Sequence, residues 1–148
     1  MRASSRNYIK IEFPAKSANE WLARSTAAAF AAQLDPTLDE LGDVKTAVSE
    51  AVTNAVVHAY PEQMGTVWMS LRIIGEDTLE ITVKDKGRGI PDVKQAMEPL
   101  YTTGGDDRSG MGFTIMESFM DKLRVRSEPG KGTTVVMQRT IRIRLGKR

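Results

Sequence analysis

The sequence predicts an α/β domain of the α+β kind. It would have two layers, a mostly antiparallel, mixed sheet with helices covering one face. Three observations carry this. Short stretches near the start, middle and end of the chain alternate apolar and polar residues, as half-buried strands do. Two long stretches between the first and second of these have helical spacing. The later strands follow each other through short turns, which join antiparallel neighbours.

Taken in order, Tyr8 to Phe13 places Ile9, Ile11 and Phe13 on one face of a first strand. Ser17-Ala18-Asn19-Glu20 has capping-box spacing and opens an alanine-rich helix running to about Leu34. Asp35-Pro36 breaks it. Thr37-Leu38-Asp39-Glu40 is a second capping box, opening a helix to about His58. Val67, Met69, Leu71 and Ile73 then alternate, Gly75-Glu76-Asp77 turns, and Leu79, Ile81 and Val83 alternate again, as in a hairpin. From Lys86 to Gly112 the chain reads as a long glycine-rich loop, a length that usually serves function. Phe113 to Met120 reads as a helix. Leu123 to Ser127 and Thr133 to Leu145 read as strands joined at Pro129-Gly130-Lys131-Gly132. No repeat, low-complexity segment or linker divides the chain, so residues 1–148 are read as one domain.

Composition narrows the class. No apolar run is long enough to span a bilayer, and no signal-peptide pattern follows Met1, so a cytoplasmic protein without a membrane partner is expected. The absence of cysteine suits a reducing compartment and excludes thiolate metal sites. Net charge is +2, and the excess lies in Arg139, Arg142, Arg144, Lys147 and Arg148, read as charges on the wet face of a last strand. No aromatic RNA signature or paired Cys/His set points to direct nucleic-acid binding.

The chemistry concentrates in three places. On the second helix, Glu50, Asn54 and His58 stack at helical spacing beside the apolar stripe of Leu41, Val44, Val48, Ala51, Val52 and Ala55. A half-buried carboxylate there suits a general base, and an Asn amide oxygen suits Mg²⁺. A solvated polar face is the plainer alternative, and His58 reads as structural, near a helix end that favours a cation. Asp85 continues the Leu79, Ile81, Val83 count, so it points to the core face, where a carboxylate needs a partner. It either accepts from a ligand amine or caps the turn that follows. Gly87 and Gly89 follow directly, and Gly110-Met111-Gly112 precedes a helix whose free N–H groups suit phosphate, with Arg108 close in sequence. Walker, Rossmann and eukaryotic-type kinase motifs are absent, and a single histidine excludes a multi-histidine metal site.

Together these residues resemble the GHKL ATPase superfamily, which includes gyrase, heat-shock chaperone and histidine kinase ATP domains. Glu50-Ala51-Val52-Thr53-Asn54-Ala55 resembles its N box, Asp85-Lys86-Gly87-Arg88-Gly89 and Gly110-Met111-Gly112-Phe113 its glycine boxes, and Gly132-Thr133-Thr134-Val135 its late G-T segment. Ser49 to Ala55, Pro99-Leu100-Tyr101-Thr102-Thr103 and Arg108 to Glu117 are similar to the anti-sigma factors that are also serine kinases, those of sporulation above those of general stress.

The resemblance implies a Bergerat-type fold binding ATP and Mg²⁺, with a lid over about 90–109. Asn54 would hold the metal, and Asp85 would read the adenine amine with Gly89 and Thr134. Gly87, Thr102, Thr103, Ser109, Gly110, Met111 and Gly112 would complete the nucleotide site. Glu50 would act on the attacking serine hydroxyl and Arg108 on the transferred phosphoryl group. The implied partners are a sporulation sigma factor, an anti-anti-sigma protein phosphorylated on serine, and a second copy of the chain, met through the first strand. Arg24 would lie on the partner-binding surface. Ala59 stands where the group usually has glycine, and the loop Tyr60 to Gly65 looks shortened. A nucleotide-gated anti-sigma module without phosphotransfer, or an isolated chaperone- or topoisomerase-type ATPase domain, are the other readings. Retention of both Glu50 and Asn54 favours an enzyme over the first, and the short lid speaks against the second.

Overall fold

In a computed structural model of the chain, the structure describes residues 5–60, 64–97 and 112–141. Strand β1 (Ser5–Pro14) leads into helix α1 (Ser17–Ala31), which tightens into a 3₁₀ turn over Ala32–Leu34. Helix α2 (Leu38–Thr53) continues into a π-helical segment, Asn54–Ala59. The hairpin β2 (Thr66–Ile74) and β3 (Thr78–Asp85) follows, then short helix α3 (Val93–Ala96), helix α4 (Gly112–Phe119), and the hairpin β4 (Lys122–Glu128) and β5 (Gly132–Thr140).

The sheet order is β1-β2-β3-β5-β4, and every pairing is antiparallel. The mixed character expected of the sheet is therefore missing among the described strands. Its physical reason is the connection between β1 and β2. Two helices, one down and one back, return the chain to the sheet in reverse, whereas a single crossover helix would have made that pair parallel.

One face of the sheet carries the core. Burial alternates residue by residue along β2 and β3, placing Val67, Met69, Leu71, Ile73, Leu79, Ile81 and Val83 under the helices. Val135 and Met137 of β5 join them. From above come Val44, Ala47, Val48, Ala51 and Val52 of α2 and Ala23, Ala27, Phe30 and Ala31 of α1. The alanines let α1 pack closely on α2.

The two expected helix starts differ. At Thr37 the capping box forms completely: the Glu40 N–H donates to Thr37 Oγ1 (3.0 Å) and the Thr37 N–H to Glu40 Oε1 (2.8 Å). At α1 the box is absent. Lys16 is the N-cap without a side-chain bond and Ser17 is already helical, while Asn19 Nδ2 anchors the first turn on the Pro14 carbonyl (3.0 Å).

Arg139 corrects the wet-face reading of the basic end. It shares the helix-facing side of β5 with Val135 and Met137, because it lies an even count from both. Its Nη1 donates to Asp43 Oδ2 of α2 (2.8 Å) and to the Phe119 carbonyl at the end of α4 (2.7 Å). Residues Arg142, Arg144, Lys147 and Arg148 lie outside the described residues.

Candidate functional site

A largely apolar cavity of about 230 Å³ opens between the end of α2, the π segment, the end of β3 and the start of α4. Its walls come from Ala51, Ala55, Val83, Ile90, Phe113 and Val135, and its polar groups from Asn54, His58, Asp85, Arg88 and Thr133.

Asp85 is the cavity's buried acid, only 6% exposed. Its Oδ1 accepts the Gly87 N–H (2.9 Å) and the Thr133 N–H (3.2 Å). Oδ2 has no hydrogen-bond partner among the described residues. Burial pushes the carboxyl up from its ordinary range, while the N–H bonds from Gly87 and Thr133 pull it back. Of the two readings of Asp85 left open by the sequence, the turn-capping one is seen directly: Oδ1 fastens the turn after β3, while the carboxylate also lines the cavity.

The turn is held from several sides. The Arg88 N–H donates to the Ala59 carbonyl (2.9 Å), and the Gly130 N–H donates to the Arg88 carbonyl (2.6 Å). The Lys86 N–H donates to the Tyr60 hydroxyl (2.7 Å), which donates to the Thr66 carbonyl (2.7 Å). Gly89 has φ +77°, and a Cβ on it would lie 2.1 Å from the Glu128 carbonyl oxygen, so only glycine lets the chain pass here. Next to it, Ser127 Oγ accepts the Ile90 N–H (2.7 Å), donates to the Gly132 carbonyl (2.9 Å), and lies 2.8 Å from Thr133 Oγ1.

The register corrects one expectation. Asp85 pairs with Thr133 across β3 and β5, so Thr133 shares its face. Thr134 pairs with Lys84 and turns to the opposite face of the sheet, away from the cavity.

The π segment changes how the helix ladder is used. It begins at Asn54, and the wider turn carries Asn54, Ala55, His58 and Ala59 along the cavity wall. Glu50, one turn earlier and still in regular helix, lines a neighbouring cleft between α1 and α2 together with Arg24, Lys45, Thr46 and Ser49. Gly112 approaches one polar residue from each opening. A Cβ there would lie 3.3 Å from Asn54 Nδ2, 3.4 Å from Asn54 Oδ1 and 3.5 Å from Glu50 Oε1. Gly112 is the first residue of α4, so the start of that helix faces both side chains. Arg24 pairs with Glu20 at 3.0 Å on α1.

Of the remaining expected residues, Arg108, Thr102, Thr103, Ser109, Gly110 and Met111 lie outside the described residues, as does the greater part of the expected lid. Among the residues not foreseen, Thr133 and Ser127 had a signal in strand alternation. The apolar walls, Ile90, Pro91 and Phe113, had none.

A family model for the histidine kinase-like ATPase domain matches residues 13–139. The chain belongs to that family. It is 54% identical over 140 residues to the anti-sigma F factor of Clostridium beijerinckii, covering 94% of this chain and 98% of that one. It is 52% identical over 136 residues to the anti-sigma F factor of Caldanaerobacter subterraneus, covering 91% and 94%. Within the family it therefore groups with the anti-sigma F factors. Its fold is also that of a crystal structure of the RsbU and RsbW domains of a Mycobacterium tuberculosis protein, with TM-score 0.67 and 20% identity. That match covers 91% of this chain and 32% of that longer one. The antiparallel sheet under a helical layer is thus a GHKL-type ATPase fold.

Proposed function

We propose that this chain is an anti-sigma factor that sequesters a sporulation sigma factor and uses Mg-ATP to phosphorylate a serine on an anti-anti-sigma partner. The observation that carries the nucleotide part is Asp85. A buried carboxylate with one oxygen committed to backbone N–H groups and the other without a hydrogen bond among the described residues, at the wall of an apolar cleft, is shaped for a planar base bearing an amine.

The residues present fit ATP and Mg²⁺. Gly112 brings the start of α4 against Asn54 and Glu50 with no side chain between, which leaves helix N–H groups for phosphate. Among the described residues no group of three His, Cys, Asp or Glu could hold a metal ion. Magnesium would therefore rest on the Asn54 amide oxygen, the phosphates and water, the arrangement this ion favours. ATP supplies the phosphoryl group, and Mg²⁺ neutralises its charge. Asp85 Oδ2 accepts from the adenine amine, and Ile90, Val83, Ala55 and Val135 exclude water around the ring. Glu50 takes or orients the proton of the acceptor hydroxyl. Its position in the α1–α2 cleft beside Arg24 favours this role, since an acceptor docked against α1 reaches the carboxylate from outside the nucleotide cavity. Arg108 is assigned by resemblance to the charge on the transferred group. The chain would act as a homodimer, and β1, an edge strand, is the proposed contact. No helix among the described residues is long and apolar enough to cross a membrane.

The test is to mix the purified protein with radiolabelled ATP, Mg²⁺ and the anti-anti-sigma protein of the same genome. Label on the partner that disappears with EDTA and with Glu50→Ala is expected. ATP-dependent capture of a sigma factor without label would reduce the protein to a nucleotide-gated binding module. The absence of both label and capture would overturn the proposal.

A further inference from the structure

Arg139 lies at the opposite end of α4 from the proposed nucleotide site, and nothing in the proposed reaction uses it. Its Nη1 makes two short bonds, one to Asp43 of α2 and one to the Phe119 carbonyl that closes α4. Both charged side chains are largely shielded, Arg139 at 19% and Asp43 at 29% exposure. The second bond places a cation on the last carbonyl of a helix, the favourable end for one.

The geometry makes these contacts a fastening for two helices at once. α2 runs from Asp43 towards Glu50 and Asn54, whereas α4 runs from Gly112 to Phe119. Near Asn54 the two helices touch at Gly112, and near Asp43 they are joined through Arg139, so they are antiparallel. Glu50 lies seven residues beyond Asp43, and Gly112 lies seven residues before Phe119. At the helical rise, both arms are about 10 Å long. The contact at Gly112 is close, since a methyl group there would lie a tight 3.3 Å from Asn54 Nδ2 and in ordinary contact with Glu50 Oε1 at 3.5 Å. A change in the spacing or tilt of the helices at the Arg139 end is therefore delivered to the gap between Gly112 and Asn54.

We propose that Arg139 is a positioning residue that holds the start of α4 at its working distance from Asn54, and so sets the affinity of the site for the phosphate end of the nucleotide. This rests on the ATP-binding reading above. Two parts of the site are held by separate means. The adenine end, Asp85 with the turn at Gly87 and Gly89, is fastened through Tyr60, Ala59, Ser127 and Gly130, none of which contacts Arg139. Loss of the clamp should consequently separate the two ends.

The experiment titrates ATP and adenosine into the full chain and into Arg139→Met, Asp43→Asn and Arg139→Lys, with hydrogen exchange on each protein. In Arg139→Met, ATP should bind about tenfold more weakly, a change of about 1.4 kcal/mol. Adenosine should bind as before, within about twofold. Asp43→Asn, which keeps the fold's size and hydrogen-bonding groups, should move ATP in the same direction. Arg139→Lys, which keeps a cationic donor, should recover most of the loss. Amides from Met116 to Met120, which are bonded within α4, should exchange faster in Arg139→Met while those of β3 do not. ATP and adenosine weakening in step, or unchanged ATP binding with unchanged exchange in α4, would overturn the proposal. A wild-type chain that binds no ATP would remove the nucleotide reading, and this one with it.

Discussion

Asp85→Asn separates the proposed nucleotide role of this residue from its structural one. Asparagine has the same shape. Its amide oxygen can keep accepting from Gly87 and Thr133, the bonds now made by Oδ1 at 2.9 and 3.2 Å. The amide nitrogen then takes the place of Oδ2 on the cavity side. An acceptor for the adenine amine becomes a donor facing a donor. The lost bond to a charged acceptor is worth about 1.5–3 kcal/mol, and two donors left facing each other add about 1 kcal/mol more. ATP affinity should therefore fall about 100-fold or somewhat more, read by calorimetric titration. The same change should reverse base preference. Inosine triphosphate carries an oxygen where adenine has its amine, so the variant should bind it at least as well as ATP. Unchanged affinity for ATP, or an unchanged ratio of the two nucleotides, would refute the assignment of Asp85 to the base.

Stability should move the other way. Burial holds the Asp85 carboxyl above the ordinary carboxylate range, against the lowering effect of the Gly87 and Thr133 N–H bonds. A carboxyl raised in the folded state binds protons more tightly there than in the unfolded chain. Its favourable contribution is complete below the unfolded value and is lost as pH rises through the folded one. Asparagine has no such dependence. Without nucleotide, the melting temperature of Asp85→Asn relative to wild type should climb from about pH 4 upwards and level off above the raised value. A difference in melting temperature that does not change with pH would show that burial does not raise the carboxyl.

Other substitutions test other parts of the site and frame. Glu50→Gln should keep ATP affinity while phosphotransfer falls about 10²–10⁴-fold, and turnover near the wild-type rate would end the base assignment. Gly112→Ala places a methyl group 3.3–3.5 Å from Asn54 and Glu50, so Mg-ATP binding should weaken about five- to tenfold with little change in melting temperature. Gly89→Ala forces a φ of +77° on a side chain that would also meet the Glu128 carbonyl at 2.1 Å, and thermal unfolding should show a loss of at least about 2 kcal/mol. Thr37→Ala removes one half of the α2 capping box and should cost about 1 kcal/mol, a fall of about 2–4 °C, with nucleotide affinity untouched.

What the sequence made legible follows the regular periods. Alternation in β2 and β3 is strict enough that the inward face of Asp85 could be counted from Leu79, and Thr37 with Glu40 announced the start of α2. The same counting, carried along β5, would have put Thr133 beside Asp85 and Arg139 under the helices. Both are long-range consequences of register, since their partners are 48 and 96 residues away in sequence. Ser17 misled because a capping box needs the serine at the boundary itself, and here Asn19 takes over the anchoring. The π segment left no mark at all. Its residues, Asn54 to Ala59, satisfy helical spacing as well as any, and only the backbone of the folded chain reveals the wider turn.

Several departures from local regularity gather in one place, although Asp35 at φ 53° and the register slip of β1 between Ser5 and Asn7 lie elsewhere. A buried carboxyl raised by desolvation, a π segment that interrupts α2, a glycine at positive φ against a neighbouring carbonyl, and a helix start with no Cβ to separate it from two polar side chains all border one cavity or its rim. Away from it, β2 and β3 alternate without fault, the α2 cap is complete, and the outer face of the sheet pairs Arg72 with Glu80 and Gln138 with Glu80 in ordinary cross-strand contacts. Sequences that specify one fold keep local and global preferences in agreement, and relax that agreement where a function requires it. On that argument the cavity is where this chain spends stability, and the increase in stability expected of Asp85→Asn measures part of what is spent.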